Sequence, residues 1–345
     1  MDTILFLAHT QEDGRLPAAA LEAFTAALAL KSAGNGDLVV GLVGPSIQPA
    51  ADQLAGCGVS RFIGVAGPEF ACPRYSTDAL ATEAICKSSG AAFVVAPGTS
   101  RWQRALPGVA QRLGGVADTH LTALDPGAGG GTLTASRWYY RQRMEAALQR
   151  QQRPWFLLVD PGSQTAYDKP GGTAVIELLS VPPGPGQLRT EFKGYRELAA
   201  DAQTIRPEAK LLFVAGAGWT KKQADGNPHV KDAEGLILNF LKSARASLGS
   251  SKSLVDLGGE GQQVLSFLTH LNQIGQTGAT PRHAKGLSTC CHGEEPHAVG
   301  WRFINERRAI NLDANCGWAR GKADVVYVAD AFAVMGKVNE LLAAK

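Results

Sequence analysis

Cysteine is scarce: six in 345 residues, at positions 57, 72, 86, 290, 291 and 316, without the regular spacing of a disulfide framework. That excludes a small stapled fold and fits a reducing, cytoplasmic compartment. Most of these thiols are expected as small buried hydrophobes. No run of roughly 18 uncharged apolar residues occurs, so no membrane-spanning helix and no membrane insertion are expected. The opening MDTILFLAHT carries an acidic residue and a short apolar run where an export signal needs a basic end and a longer apolar stretch. Charge of one sign is also lacking. The 34 Lys and Arg against 31 Asp and Glu leave a net charge of +3, too mild for a nucleic-acid-binding face. The nearest thing to a basic cluster, RWYYRQRMEAALQRQQRP from Arg137 to Pro154, reads as a solvated face or loop.

What is present is apolar residues at 45% and 40 glycines, enough for two domains of ordinary size. Short β-rich runs alternate with helical patterns: TILFLAH, PAAALEAFTAALALK, DLVVGLVG, ADQLAG, RFIGVAG, STDALATEAICKSS, AAFVVAPG and WQRALPGVAQRLG. The order is α/β, and near-continuous apolar strands separated by crossover-length helices predict a parallel sheet covered on both faces. DPGAGGGTLTASRWYY reads as a turn into antiparallel strands, continued by RPWFLLVD and GTAVIELLSV. The polar segment from Lys193 to Ala209 suits a linker, with domains at 1–204 and 205–345. Beyond it the alternation restarts with KLLFVAGAG, helical DAEGLILNFLKSARASLG, SLVDLGG, helical QQVLSFLTHLNQI, KGLSTCC, RRAINLD, ADVVYVAD and a last helix from Phe332, which predicts a second parallel sheet. The fold class is thus two Rossmann-like parallel-sheet domains.

In an open parallel sheet ligands sit beyond the carboxyl ends of the strands. VAGAGWTK, Val214 to Lys221, offers a G-x-G after a strand but no third glycine at fingerprint spacing. STCCHGEEPH, Ser288 to His297, packs two thiols, two imidazoles and two carboxylates into ten positions. A structural zinc site usually shows C-x2-C spacing, whereas adjacent residues at a strand end point to opposite faces. A nucleophilic Cys291 is opposed by Glu294 and Glu295, which raise a thiol pKa. Metal site, nucleophile and ordinary hydrogen-bonded loop all remain open on the residues alone. IGQTG, Ile274 to Gly278, and AINLD, ending at Asp313, put polar groups at turns where a ligand can meet them, although Asn311 is also a common turn former.

Taken in order, these pieces resemble the C-terminal, FAD-binding (DHS-like) domain of the electron transfer flavoprotein alpha subunit family. The family pattern G-A-S-R-A-x-V-D, V-G-Q-T-G, G-I-S-G-A-I-Q-H, A-I-N-K-D and A-D-Y-G-x-V-A-D-L-F is met by GSSKSLVD, IGQTG, CCHGEEPH, AINLD and ADVVYVADAF. In the first half, FLAHTQEDGRL and APGTSRWQRALPGVAQRLG are similar to the family's opening strand and its A-P-A-T helix.

The resemblance implies FAD as cofactor, held by Ser251, Lys252, Gly275, Gln276, Thr277, Gly278, His292, Gly293, His297, Asn311 and Asp324. It implies Thr277 near flavin N5, His297 at the pyrimidine edge, Gly293 on the phosphate side, and Asn311 and Asp324 along the adenosine and ribitol-diphosphate part. STCCHGEEPH then becomes a cofactor loop leading into a helix whose first amides can serve a pyrophosphate. Lys252 stands in an arginine slot and keeps the charge without the planar fork of donors. Cys290 and His292 add bulk where the family has glycine and serine, and Glu294 and Glu295 compete with an anionic ligand. The implied function is that of an electron carrier in a heterodimer with a beta-type subunit, accepting electrons from a flavin dehydrogenase and passing them to a quinone reductase. A structural subunit poor in FAD and a Cys or metal enzyme are the alternatives.

Overall fold

The computed structural model describes residues 2–34, 36–127, 131–139, 144–194, 205–206, 209–256, 263–274, 283–289, 304–313 and 323–344. These divide into two compact units, one within residues 2–194 and one within 205–344.

In the first unit, β1 (Asp2–His9) is continuously apolar from Ile4 to Ala8, all fully buried. A strand that hides every side chain must be covered on both faces. It pairs in parallel with β2 (Gly36–Gly44) and β4 (Phe93–Pro97), and β3 (Arg61–Ala66) adds beyond β2. The nine-stranded sheet is completed by β5 (Val116–Asp125), β6 (Thr134–Tyr139), β7 (Met144–Leu148), β8 (Trp155–Val159) and β9 (Ile176–Leu178), in the order β7-β6-β5-β8-β4-β1-β2-β3-β9.

Helices α1 (Ala18–Ser32) and α2 (Gln48–Leu54) cover one face, and α3 (Tyr75–Ser89) and α4 (Ser100–Arg112) the other. Each helix follows its apolar spacing. Ala20, Ala23, Phe24, Ala27 and Leu30 of α1 are buried, as are Trp102, Ala105, Leu106, Val109 and Ala110 of α4. Thr99 caps α4, its hydroxyl accepting from the Trp102 N–H at 3.4 Å.

Two expectations for this unit are corrected. RPWFLLVD does not continue the antiparallel strands: β8 lies between β5 and β4, parallel to both, and all five of its residues are buried. β9 is likewise parallel, at the edge beside β3. Among the described residues only β6 runs against the rest of this sheet, antiparallel to β5 on one side and to β7 on the other. The basic stretch from Arg137 is also not simply a solvated face. Its described part builds the end of β6 and all of β7, and Arg150 donates from Nε and Nη2 to the two carboxylate oxygens of buried Asp118 at 3.0 Å each.

The second unit is a five-stranded parallel sheet, β10 (Leu211–Ala215), β11 (Ser247–Ser250), β12 (His283–Thr289), β13 (Ile304–Asn311) and β14 (Val325–Val328), in the order β11-β10-β12-β13-β14. Helices α5 (Val230–Ala244) and, at the C-terminus, α7 (Ala331–Ala343) pack on one face. There Ala233, Ile237, Phe240 and Met335 meet Phe213, Leu248 and Ile310. Between them in sequence, SLVDLGG is not a strand over its described residues, 253–256. β11 ends at Ser250, and Lys252–Asp256 is a short helix, α6. QQVLSFLTHLNQI is not an α-helix over its described residues. It turns twice and closes with a 3-10 turn, His270–Asn272, in which Thr269 and Asn272 cap each other.

Candidate functional site

β10 pairs with β11 on one side and β12 on the other. The direction of crossover therefore reverses between β10 and β12, and the crevice beyond their carboxyl ends is where such a sheet leaves room for a ligand. Backbone bonds fix its described rim. The Gly216 N–H donates to the Thr289 carbonyl at 2.9 Å, the Ser251 N–H to the Ala215 carbonyl at 2.9 Å, and the Ile274 N–H to the Ser250 carbonyl at 3.1 Å. Gly249 makes the last contact possible: a Cβ there would stand 2.8 Å from Cγ1 of Ile274. Ile274 thus lies beside β11, and Thr289 ends β12 at the reversal itself.

The floor of this rim is built from a buried polar anchor in an aromatic setting. Trp219, in the 3-10 turn Ala217–Thr220, is fully buried and donates its indole N–H to Oγ1 of Thr289 at 2.8 Å. The Thr289 hydroxyl in turn donates to the Val214 carbonyl at 3.3 Å. The Phe332 ring, at the start of α7, lies 4.6 Å from the Trp219 ring.

On the outer side, His229 precedes α5 with Nε2 2.8 Å from Oδ2 of Asp225 and Nδ1 3.2 Å from Oδ2 of Asp232. Both partners only accept, so the doubly protonated imidazolium satisfies both. The bond to Asp225 is the main cause of a raised His229 pKa. A raised folded-state pKa means the contribution is complete below the ordinary value of 6.5 and is lost as pH rises through the raised one. We expect an NMR titration of His229 to have its midpoint above 6.5 and to fall in Asp225→Asn. A midpoint at or below 6.5 contradicts the clamp.

Ser251 sits on the rim, buried, its hydroxyl accepting from the Leu254 N–H at 3.4 Å. Lys252 opens α6, exposed, with its ammonium 3.7 Å from Asp256, whose other oxygen is 4.0 Å from His270. Asn311 ends β13, buried, and its amide donates to the Asp313 carbonyl at 3.3 Å, the bond of a turn former. Asp324 is not on this edge. It stands just before β14, level with Arg307 in the middle of β13, accepting from the Arg307 N–H at 2.7 Å and from Arg307 Nη2 at 2.9 Å. Gly275, Gln276, Thr277, Gly278, His292, Gly293 and His297 lie outside the described residues, as do Cys290, Cys291, Glu294 and Glu295. Among the described residues no group of three or more His, Cys, Asp or Glu is placed to hold a metal ion.

Two residues of the rim went unnoticed in the sequence. Ser250 Oγ and Gln273 Oε1 are buried without a hydrogen-bond partner among the described residues. Nothing in SSKS or LNQI distinguishes them, because their adjacency arises only when Gln273 bridges β11. Two unsatisfied polar groups beside the crevice fit a hydroxyl-rich ligand such as a flavin dinucleotide.

The family model described as the electron transfer flavoprotein domain matches residues 4–183, just over half of the chain. The chain belongs to the electron transfer flavoprotein family. A search of curated proteins gave no match. The matched span runs from β1 through β9, so the first unit carries the family assignment. Its role is accordingly that of an electron-transfer flavoprotein. No helix among the described residues of this electron transfer flavoprotein is long and apolar enough to cross a membrane.

Proposed function

We propose that this chain is an alpha-type subunit that holds FAD on the carboxyl edge of its C-terminal domain, 205–345, and pairs with a beta-type subunit through its N-terminal domain, 1–204. The observation that carries the reading is the position of the sheet's reversal. Thr289, three positions before His292, stands at that point, and Ile274, the residue before Gly275, donates its N–H to the Ser250 carbonyl next to Ser251. The described residues next to both stretches that resemble the family's cofactor loops thus lie on this carboxyl edge, which supports the reading. Bound FAD supplies reversible uptake and release of electrons, and the protein's part is orientation and electrostatics.

In this reading Ser251, Gly293 and backbone amides serve the diphosphate, Gln276, Thr277 and His297 orient the ring, and Gly275 and Gly278 let the backbone approach. Asn311 and His292 complete the rim. In this reading Asp324, bound to Arg307 beside the middle of β13, takes no part. Electrons come from a flavin dehydrogenase and go to a quinone reductase. The competing structural subunit, poor in FAD, draws on Lys252, whose charge is partly neutralised by Asp256. A flavin spectrum of the protein purified with its partner separates the two: yellow supports the carrier, colourless the scaffold.

Two substitutions test the residue roles. Thr277→Val removes one hydroxyl at similar volume and is expected to shift the flavin potential while leaving folding intact; an unchanged potential removes Thr277 from the ring. His297→Ala is expected to weaken flavin retention more than His292→Ala, and equal or reversed losses mean that the loop is out of register.

A further inference from the structure

We infer that Ser250 and Gln273 form a hydroxyl-binding subsite, which takes a hydroxyl from the polyol chain or the sugar of the dinucleotide. This rests on the FAD reading above. The isolated parallel bridge sets Ser250 and Gln273 side by side, and paired residues of parallel strands put their side chains on the same face. The serine is fully buried and the glutamine 5% exposed. Their surroundings are otherwise satisfied: the Ile274 N–H donates to the Ser250 carbonyl, and the Asn272 amide donates to the Leu248 carbonyl at 3.4 Å. The orphaned atoms are therefore the serine hydroxyl and the glutamine carbonyl oxygen alone among these groups. Leaving such groups unpaired in a buried place is unfavourable.

Their chemistry selects the partner. Gln273 Oε1 only accepts, whereas the Ser250 hydroxyl donates and accepts. A phosphate oxygen also only accepts and leaves Gln273 unmatched. The benzenoid edge of a flavin satisfies neither, and its pyrimidine edge is assigned to His297 in the reading above. A hydroxyl satisfies both at once, donating to Gln273 and accepting from Ser250. A buried water has the same donor and acceptor pattern, so the experiment must tell the two sources apart.

The test uses the full chain with its partner subunit, titrated with FAD, and compares wild type with Ser250→Ala and Gln273→Met. Each variant is expected to raise the FAD Kd about tenfold, the loss of roughly one hydrogen bond, with the melting temperature of the FAD-free protein unchanged or higher. Riboflavin and ADP serve as separate probes. A penalty confined to riboflavin assigns the polyol chain, and one confined to ADP assigns the sugar. Unchanged affinities together with a lowered melting temperature of the FAD-free variants identify a water site and overturn the inference. Wild type that binds FAD beside variants that bind it equally well sinks this subsite alone, whereas wild type that binds no FAD sinks the FAD reading and this with it.

Discussion

Asp78→Ala lowers the stability of the first unit by about 3–5 kcal/mol, measured by chemical denaturation, the cost of leaving a buried charge without its partner. Asp78 lies in α3 with its side chain fully buried, and Arg101, 8% exposed, lies in the first turn of α4. The guanidinium donates from Nε to both Asp78 oxygens at 3.1 and 3.0 Å and from Nη2 to Oδ1 at 2.6 Å. Nη2 also donates to the Phe70 carbonyl at 2.7 Å. Burial pushes the Asp78 carboxyl pKa up, and the bonds from Arg101 pull it back. With alanine at 78, Arg101 stays charged in the same enclosure, and Arg104, 4.0 Å from Asp78, adds a like charge nearby. Asp78→Ala combined with Arg101→Met is expected to recover much of the loss, because replacing a whole buried pair by apolar groups is often near neutral. A single-variant loss under about 1 kcal/mol, the range of an exposed pair, shows that the pair does not fasten α4 to α3.

Trp219→Ala has a comparable effect on the second unit, about 3–5 kcal/mol, the usual cost of emptying a buried aromatic site. The indole fills the space between the Phe332 ring and the end of β12, and its N–H accounts for one bond to Thr289. Trp219→Phe separates the two contributions. It keeps most of the ring and removes the donor, and it is expected to cost about 1 kcal/mol for the bond with a further loss for the smaller ring. Because Thr289 ends β12 at the reversal of strand order, on the edge proposed to hold the cofactor, both variants are also expected to weaken flavin retention. Loss of stability with unchanged retention would place the anchor outside the cofactor's support.

The strands were legible wherever burial leaves a continuous apolar run. TILFLAH, DLVVGLVG and AAFVVAPG all became central parallel strands, since nothing but a strand covered on both faces accounts for them. WFLLV carried the same signature, and only its neighbours were misread. Strand partners are a non-local matter, settled here by the antiparallel hairpin of β6 and β7 stepping aside and letting β8 enter beside β4. The helix expected over QQVLSFLTHLNQI failed for a local reason. Leu265 is fully buried and Leu271 is 69% exposed, so the apolar residues do not share one face, and the Thr269–Asn272 capping pair starts a new turn inside the segment. At the rim, Ser251 and Asn311 were singled out through the resemblance, and they stand at or just past the carboxyl ends of β11 and β13. Ser250 and Gln273 were not, because being unsatisfied is a property of the packed interior. Asp324 has a motif position that resembles the family, and its carboxylate accepts from Arg307, 17 residues earlier in the chain.

The account turns on whether the second unit holds FAD, and the most direct measurement is the flavin content of the intact chain copurified with its partner subunit. The flavin would be released by denaturation and identified by its absorbance and mass. The account predicts FAD bound in proportion to this chain, with retention sharply reduced by His297→Ala. A colourless, well-folded complex that takes up no FAD from micromolar solution, or one whose flavin is retained equally after His297→Ala, would contradict it.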